Sequence, residues 1–450
     1  MRATMDTFVP DRRARSRRCF RSIALAATVL GLMSLAWEPA RADDGSADRA
    51  IVAFQHGLLR RPADPWTYYR LGDAYVQKFR ATADPSWLTL AERALRRSLA
   101  LDPEQASARR HLAYVLYTRH DFDDAAREAA RAVAADPGDS HAWGVLGDAH
   151  LEVGRYVEAE RAYRRMLETG NDLYAHARSA ALPSLRGDVL GAIAALERAL
   201  VRGRAEGRPA EALAWVEWQL GQEHWNRGDL AAAETAYRAA LVTIPGYHRA
   251  LAALAQVLVA RGRGSEALPF LEQAIAVVPQ LDYVVALGDL HAMLGRPGAA
   301  ERQYALAEHI GQLTALNRVL FNRELAWFYA DHDRRLDEAL ALARRELEVR
   351  QDIHAHDLLA WALYRTGQPE AARAEMAEAL RLGTQDARLF YHAGMIEQRL
   401  GNTEGARVYL RQALATNPYF HPRHAPEARR VLEALDEART RPRLEAPDAS

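Results

Sequence analysis

The stretch AWVEWQLGQEHWNRGDLAAAETAYRAALVTIP, from Ala214 to Pro245, decides the fold of this 450-residue chain. Its apolar and small residues recur every three to four positions on both sides of Gly228, which is the period of an amphipathic α-helix. The glycine separates the two segments and the proline follows the second one, as expected for a turn and a helix end. The stretch therefore predicts two amphipathic helices joined by a tight turn.

The turn glycine and the closing proline recur at a constant spacing of 34 residues in other parts of the chain. The pairs at this spacing include Gly228 and Gly262, Pro245 and Pro279, Pro103 and Pro137, and Gly367 and Gly401. A constant period of this length predicts a series of helix pairs, in which each pair buries its apolar face against its neighbours.

This period and pattern resemble the tetratricopeptide repeat (TPR). That family's signature has a bulky residue, Leu-Gly and an aromatic residue, then a turn glycine, alanines at close helix contacts and a closing proline. The unit 214–247 matches it at Leu220, Gly221, Gly228, Ala233, Tyr237, Ala240 and Pro245, and the unit 140–173 at Trp143, Leu146, Gly147, Gly154, Tyr156, Ala159 and Tyr163. The resemblance implies an all-α fold, a right-handed superhelical solenoid of antiparallel helix pairs with a C-terminal capping helix.

Departures from the repeat predict the domain organisation. We predict a leader helix at 43–64, an N-terminal TPR block at 65–170, an irregular helical connector at 171–213, a C-terminal TPR block at 214–418, a capping helix at 419–438 and a disordered tail at 439–450. The connector contains RGRAEGRPAE (202–211), which is predicted to be a loop. Whether the connector bends or interrupts the solenoid stays open.

The N-terminus has the features of a secretory signal peptide. Several arginines between Arg12 and Arg21 precede the apolar run Ser22–Trp37, and Ala40-Arg41-Ala42 supplies the small residues of a cleavage site. We therefore predict a signal peptide at 1–42 and a periplasmic or extracellular protein, with no stable membrane span after cleavage. Because SRRCF (16–20) resembles the twin-arginine signature, the export route, general secretory or twin-arginine, stays open, and an uncleaved anchor is the alternative.

The composition argues against several classes of function. The 59 basic and 59 acidic residues balance, and loss of 1–42 leaves a small acidic excess, which is unlike a nucleic-acid-binding protein. Cys19, the only cysteine, lies in the predicted signal, so thiolate chemistry is not expected. No phosphate-binding glycine loop, paired-cysteine spacing or nucleophile elbow occurs. We predict a non-enzymatic protein without a cofactor.

Two histidine-containing stretches are candidates for a metal site. In IHAHD, His354 and Asp357 share one helical face, but a third ligand such as His332 has to come from a neighbouring unit. HPRH, from His421 to His424, precedes the predicted cap and is better explained as a structural turn. The sequence therefore predicts no metal site.

An aromatic stripe is the main candidate for a binding site. By the family resemblance, positions 2, 5, 9 and 12 of each unit line the concave groove, and steps of three and four residues keep them on one helical face. The predicted ligand or partner residues are Trp66, Tyr69, Tyr114, Tyr117, Trp215, Trp218, Gln222, Trp225, Trp327, His354, Asp357, Trp361, Tyr364 and Tyr391. Glu217 stands where the signature has a bulky apolar residue, which leaves a shift of register by one position open.

Two kinds of ligand suit aromatic rings on a concave face. A peptide or a partner helix buries apolar side chains against them, and a sugar stacks on them while Gln222 and Asp357 accept its hydroxyls. We predict a non-enzymatic scaffold that binds a protein or peptide partner in the cell envelope. A glycan-contacting module in envelope polysaccharide assembly or export is the alternative, and packing of individual rings between units is expected for some members of the stripe.

Overall fold

The computed structural model describes residues 45–82, 84–316 and 323–440. These residues form α-helices joined by short turns, and no β-strand occurs among them. Within the same ranges, no helix combines the length and the apolar character that crossing a membrane requires. The predicted signal peptide and residues 441–450 of the predicted tail lie outside the described residues.

The helices are numbered in chain order. The N-terminal helices are α1 (Ser46–Arg60), α2 (Pro65–Thr82), α3 (Ser86–Leu101), α4 (Ala106–Thr118), α5 (Phe122–Ala135), α6 (Ser140–Glu152), α7 (Tyr156–Thr169), α8 (Leu173–Ser179), α9 (Ala181–Leu185) and α10 (Val189–Ala205). The C-terminal helices are α11 (Ala210–Asn226), α12 (Leu230–Thr243), α13 (His248–Ala260), α14 (Gly264–Val277), α15 (Leu281–Met293), α16 (Pro297–Leu316), α17 (Arg323–Asp331), α18 (Leu336–Val349), α19 (Ile353–Arg365), α20 (Pro369–Ala379), α21 (Ala387–Arg399), α22 (Thr403–Thr416) and α23 (His424–Thr440).

Consecutive helices pack in pairs, and each pair packs on the next. The pairs α2/α3, α4/α5 and α6/α7 form the N-terminal part, and α11/α12 through α21/α22 form the C-terminal part. Between them, α10 packs against both α8 and α11, so helical packing continues through the connector. The predicted all-α solenoid of helix pairs is confirmed.

A glycine–tyrosine contact recurs at the centre of three helix pairs, where a Cβ atom on the glycine would overlap the tyrosine ring. The three contacts are Gly147 with Tyr163, Gly221 with Tyr237, and Gly288 with Tyr304. The tyrosine hydroxyl donates to the residue that follows the glycine, as in Tyr163 to Asp148 (2.9 Å) and Tyr304 to Asp289 (2.7 Å). The glycine of the repeat signature is therefore needed because a side chain at this position would collide with the tyrosine ring of the second helix.

Short polar turns end one helix and begin the next. Gly228 follows α11 with φ of 75°, a left-handed conformation that glycine adopts without strain. The Asp229 side chain then accepts a hydrogen bond from the amide of Ala232 at the start of α12, over 3.1 Å. The same capping geometry occurs at Asp139, Asp172, Asp188, Asp352, Asp386 and Asn402.

The solenoid winds tightly enough for distant repeats to touch. The amide of Ile353 donates to the Tyr156 hydroxyl across 197 residues of sequence, over 2.9 Å. Arg350 forms an ion pair with Glu152 at 3.1 Å beside this bond. Repeats that lie far apart in the sequence are therefore in direct contact.

The helix bounds differ from the predicted ones at three places. The predicted loop 202–211 is wrong for most of its length, because α10 continues to Ala205 and α11 begins at Ala210. The capping segment 419–438 is only partly helical, since α23 begins at His424, and it continues to Thr440, inside the predicted tail. The leader helix α1 spans 46–60 of the predicted 43–64.

Candidate functional site

A half-enclosed cavity of about 710 Å³ lies in the C-terminal half of the solenoid. One wall consists of inward-facing side chains from α11, α13, α15 and α17, the first helices of four successive pairs. The segment 418–429, which contains the turn before α23 and the start of that helix, lines another side. The volume is in the range that accommodates a small ligand or a few residues of a peptide.

Two tryptophans present part of their rings to this cavity, and each is covered on one face by an arginine. The guanidinium of Arg249 lies 5.0 Å from the ring centre of Trp218, and that of Arg388 lies 3.5 Å from the ring centre of Trp327. Such cation–π contacts hold the ring and the cation in a defined position. Tyr419 contributes a third ring from the segment 418–429, with 38% of its surface exposed.

Two carboxylates also line the cavity, from neighbouring first helices. Asp282 on α15 and Glu324 on α17 are both exposed to the solvent within it. Protein atoms around the cavity reduce the hydration of the Asp282 carboxyl group, and Glu324 adds a nearby negative charge. Together these two effects raise the pKa of Asp282 to about 6. Two neighbouring carboxylates of this kind offer a position for a cationic group.

Buried acid–histidine pairs form the innermost part of the cavity. Asp289 lies 2.7 Å from Nε2 of His332 and accepts the hydroxyl of Tyr304. Burial raises the pKa of Asp289, but the hydrogen bond and charge of His332 together with the hydrogen bond from Tyr304 leave the pKa below its ordinary value. Asp331 accepts a hydrogen bond from Nε1 of Trp361 over 2.8 Å.

A second, smaller cavity of about 380 Å³ lies on the other side of Asp331. Its lining is more polar and includes Tyr364, Arg365 and Glu427. Asp331 lines both cavities, so it lies in the partition between them.

The structure brings some of the predicted groove residues together and separates others. Trp218, Gln222, Trp225 and Trp327 line the larger cavity, and Trp361, Tyr364 and Tyr391 line the smaller one. Neither cavity includes Trp66, Tyr69, Tyr114, Tyr117, Trp215, His354 or Asp357.

The expectation of an accessible stripe is wrong for three residues of α19 and α21. Asp357, Trp361 and Tyr391 are each only 1% exposed. Asp357 is paired with Nδ1 of His392 at 2.7 Å, and the Tyr391 hydroxyl donates to Glu427 over 2.8 Å. Trp361 and Tyr391 contact His424 and Glu427 of α23, and Asp357 is buried beside His392 of α21. The repeat pattern does not specify these contacts.

The N-terminal members of the stripe lie far from the cavities. Trp66 is 54% exposed, whereas Tyr69 is buried against it with ring centres 5.1 Å apart. Tyr114 stacks with Arg80, and the Tyr117 hydroxyl donates to Glu152 over 3.3 Å. Tyr69, Tyr114 and Tyr117 therefore pack within the N-terminal repeats, whereas Trp66 is exposed.

The contact of Gly221 with Tyr237 fits the predicted register of α11, but Trp225 of the predicted stripe is buried, with 6% of its surface exposed. Glu217 has a structural explanation. Its side chain is 3% exposed and accepts hydrogen bonds from Arg204 (2.8 Å) and Thr243 (2.7 Å). The unusual acid is thus stabilised by a buried polar contact between helix pairs. Trp215, on the same helix, packs partly buried against the α8–α10 core.

Several cavity residues were missed by the aromatic pattern. Arg388, Asp289, Asp331 and His421 line the cavity without being part of the stripe. The histidines of HPRH and the acids of the turn DHDRR (331–335) were visible as local clusters. The two clusters come close to each other because of the path of the solenoid, which the spacing of residues within one motif does not predict.

The repeats are recognised by a family model described as tetratricopeptide repeat. It matches residues 88–139, 112–176, 218–281, 252–312 and 358–419, which together cover more than half of the chain. The chain therefore belongs to the tetratricopeptide repeat family. No curated protein matches the sequence significantly.

Solved structures with a similar fold are also TPR proteins. A human IFIT1 dimer with PPP-AAAA has a TM-score of 0.47 and 18% identity, covering 71% of this chain and 73% of that one. PilW, a type IV pilus biogenesis factor, has a TM-score of 0.39 and 19% identity, covering 47% and 92%. Yeast Tom70 has a TM-score of 0.38 and 13% identity, covering 88% and 93%. At such identities the similarity concerns the fold.

Proposed function

We propose that this TPR protein is a non-enzymatic scaffold that binds a short peptide segment of a protein partner in the cavity between α11 and α23. The single observation that carries the proposal is the half-enclosed cavity with Trp218 and Trp327 in its wall. Large aromatic rings in a concave, partly desolvated site are typical anchors for partner side chains.

The charges in the cavity favour a particular kind of peptide. An apolar or aromatic side chain of the peptide fits beside Trp218 and Trp327, and a lysine or arginine fits against Asp282 and Glu324. Arg249 covers part of the Trp218 ring, and Arg388 and His392 both stack on the Trp327 ring, so the ligand contacts the parts of the two rings that these neighbours leave uncovered. We therefore expect recognition of a segment that combines a basic residue with apolar neighbours.

The test is a selection of random peptides displayed on phage against the immobilised full chain, followed by anisotropy titration of the enriched sequences. We expect enriched peptides that contain basic and apolar residues. The variants Trp218→Ala and Trp327→Ala should each weaken binding by about 10-fold or more, since loss of an anchor costs at least about 1–2 kcal/mol.

Trp66→Ala is the matched control, because Trp66 is exposed and lies outside both cavities. Its affinity for the selected peptides should equal that of the unaltered chain. Selection of no peptide, or equal binding by the Trp218→Ala and Trp327→Ala variants, would contradict the proposal.

A glycan ligand is the second candidate, and the amide side chains favour it. Gln222, Gln256 and Gln280 line the same cavity as the tryptophans, which places hydroxyl-binding groups beside aromatic rings. A polysaccharide array with the same variants separates the two candidates. Tryptophan-dependent binding to glycans without any peptide selection would favour an envelope polysaccharide function.

We also propose that the protein is exported, to the periplasm or beyond. The basic segment, the apolar run and the Ala40-Arg41-Ala42 site support this proposal. N-terminal sequencing of the protein from fractionated cells should find Asp43 as the first residue. Recovery of the intact N-terminus from the cytosol would contradict it.

A further inference from the structure

Three metal-binding side chains meet where the turn before α23 touches the end of α17. Asp331 is the last residue of α17, and His421 and His424 flank the beginning of α23. One potential ligand atom from each residue lies within 4.8 Å of the other two. The two imidazole rings are stacked with centres 4.1 Å apart, and Nε2 of His424 lies 3.8 Å from Oδ1 of Asp331.

One buried polar atom of this cluster has no hydrogen-bond partner among the described residues. His424 is 3% exposed, and within the described residues its Nδ1 atom has no hydrogen-bond partner. A buried imidazole nitrogen without a partner loses the free energy of one hydrogen bond and calls for an explanation. A metal ion bound through Nδ1 would supply the missing partner of this atom.

The chemistry of the three side chains suits a metal ion. Histidine coordinates a metal through a neutral imidazole nitrogen, and aspartate does so through an ionised carboxylate.

We propose that Asp331, His421 and His424 form a binding site for a divalent transition-metal ion, with Zn²⁺ as its best-suited occupant. Two imidazoles and one carboxylate are a ligand set that zinc accepts in tetrahedral geometry. Metal–ligand bonds of about 2.1 Å require ligand atoms roughly 3.3 Å apart, so small side-chain rotations close the site. The proposal does not depend on the peptide proposed above, although Asp331 and His421 also line the cavity assigned to it.

Neighbouring groups orient the Asp331 carboxylate and leave the fourth coordination position of the ion open. Trp361 donates to Oδ1 of Asp331 over 2.8 Å, an outer-shell bond that orients the carboxylate. Asp331 and His421 line the larger cavity, so a fourth coordination position faces that space. A water molecule, or a carboxylate of a bound ligand, completes the tetrahedron there.

Two features oppose the ion and limit its affinity. Arg388 lies 3.6 Å from Oδ2 of Asp331 and repels a cation. Nδ1 of His421 accepts bonds from the amides of Arg423 and His424, both 3.3 Å long. Whichever nitrogen of His421 binds the ion, these two long bonds are lost, which is a small cost for bonds of this length. We therefore expect micromolar rather than picomolar binding.

The test is calorimetric titration of Zn²⁺ into the untagged, EDTA-dialysed full chain at pH 7.5. We expect one equivalent of Zn²⁺ per chain, and no heat with Mg²⁺ or Ca²⁺, which prefer sites rich in oxygen ligands. His421→Gln and His424→Gln should each weaken Zn²⁺ binding at least about 100-fold, beyond the roughly 10–100-fold that follows loss of an outer-shell partner.

His332→Gln is the matched control, since His332 lines the same cavity but pairs with Asp289 and not with the cluster. Its Zn²⁺ affinity should stay within about 3-fold of the unaltered chain. Thermal melting of each metal-free variant shows whether that variant folds. His421 lies in a half-buried turn, so the Zn²⁺ affinity of His421→Gln tests the proposal if the buried His424→Gln does not fold. Absence of stoichiometric Zn²⁺ binding, or unchanged affinity in a folded His421→Gln variant, overturns the proposal.

Discussion

Nδ2 of Asn417 donates a hydrogen bond of 2.7 Å to the carbonyl oxygen of Trp225, a residue 192 positions earlier in the chain. This bond joins the end of the last helix pair to the end of α11, where the C-terminal repeats begin. Gly228 packs beside it against Pro418. The C-terminal half of the solenoid is therefore closed by direct contact between its first and last repeats, and the candidate cavity lies inside this closure.

Asn417→Ala should destabilise the closure. Asn417 is 1% exposed, and its Oδ1 atom also accepts the amide of Tyr419, so the substitution removes two buried hydrogen bonds. We expect a loss of about 2 kcal/mol in the free energy of unfolding, measured by urea denaturation. Asn226→Ala, at an exposed position beside Trp225, is the control and should change the stability by less than about 0.5 kcal/mol. Equal effects of the two changes would show that the bond is not important.

Substitutions at two glycines can measure how much the contact between Gly154 and the distant residue Gln351 contributes to stability. Gly154 and Gly262 have φ of 70° and 73°, so alanine is strained at both positions by about 1 kcal/mol. A Cβ atom at Gly154 would also overlap the backbone carbonyl of Gln351, whereas one at Gly262 would meet no atom within 4 Å. Gly154→Ala should therefore lower the free energy of unfolding by at least about 1 kcal/mol more than Gly262→Ala in thermal melts. A difference near zero would mean that this contact contributes nothing.

Two tryptophans of α11 should respond differently to truncation. Trp225 is 6% exposed and packs in the core of the α11–α13 region, so Trp225→Ala should cost about 3–5 kcal/mol. Trp218 is half-buried at the cavity wall, and Trp218→Ala should cost about 1–2 kcal/mol. Chemical denaturation of both variants measures the contrast. A larger stability loss for Trp218→Ala would mean that its ring serves the core rather than the cavity.

Glu223 makes the stability of the protein depend on pH. Burial raises the pKa of Glu223 to about 7, although Ser184 donates a hydrogen bond of 3.0 Å to its carboxyl group. Because the folded chain holds this proton between pH 4.5 and about 7 and the unfolded chain releases it, this group's stabilisation is lost as pH rises through that interval. Glu223→Gln keeps the uncharged form and should raise the free energy of unfolding by about 1–3 kcal/mol at pH 8, with little effect at pH 4.5.

The control for this prediction is Glu211→Gln on the same helix, where the side chain is exposed. It removes one negative charge without a buried carboxyl group, so no comparable gain at pH 8 is expected. Melting temperatures at pH 4.5, 6 and 8 for the three proteins give the comparison. A Glu223→Gln variant that is no more stable at pH 8 than the unaltered chain would be the contrary result.

The repeat fold was predictable from sequence because its determinants are local. Gly221 and Tyr237 belong to the two helices of one pair, and the glycine is needed to admit the ring. Gly228 and Asp229 set the turn through φ and a capping bond, again between near neighbours in the chain. Such short-range requirements recur along the repeats and can therefore be recognised in the sequence without knowledge of the superhelix.

The accessibility of the aromatic stripe was only partly predictable. Trp218 and Trp327 line the cavity as expected, but Trp361 and Tyr391 are covered by α23 and the turn before it. The helical period determines which face of a helix a residue occupies. It does not determine what packs onto that face from another part of the chain.

The amino-acid sequence by itself determined the helix pairs, their order, and the residues at which each pair turns and packs, since those depend on neighbours within one repeat. Tertiary structure alone decided that Asn417 reaches Trp225, that Ile353 reaches Tyr156, and that Asp331 meets His421 and His424. These contacts depend on the small rotation between successive pairs, summed over many repeats. A slight change in that rotation, which no single motif encodes, would separate the groups and open the cavity.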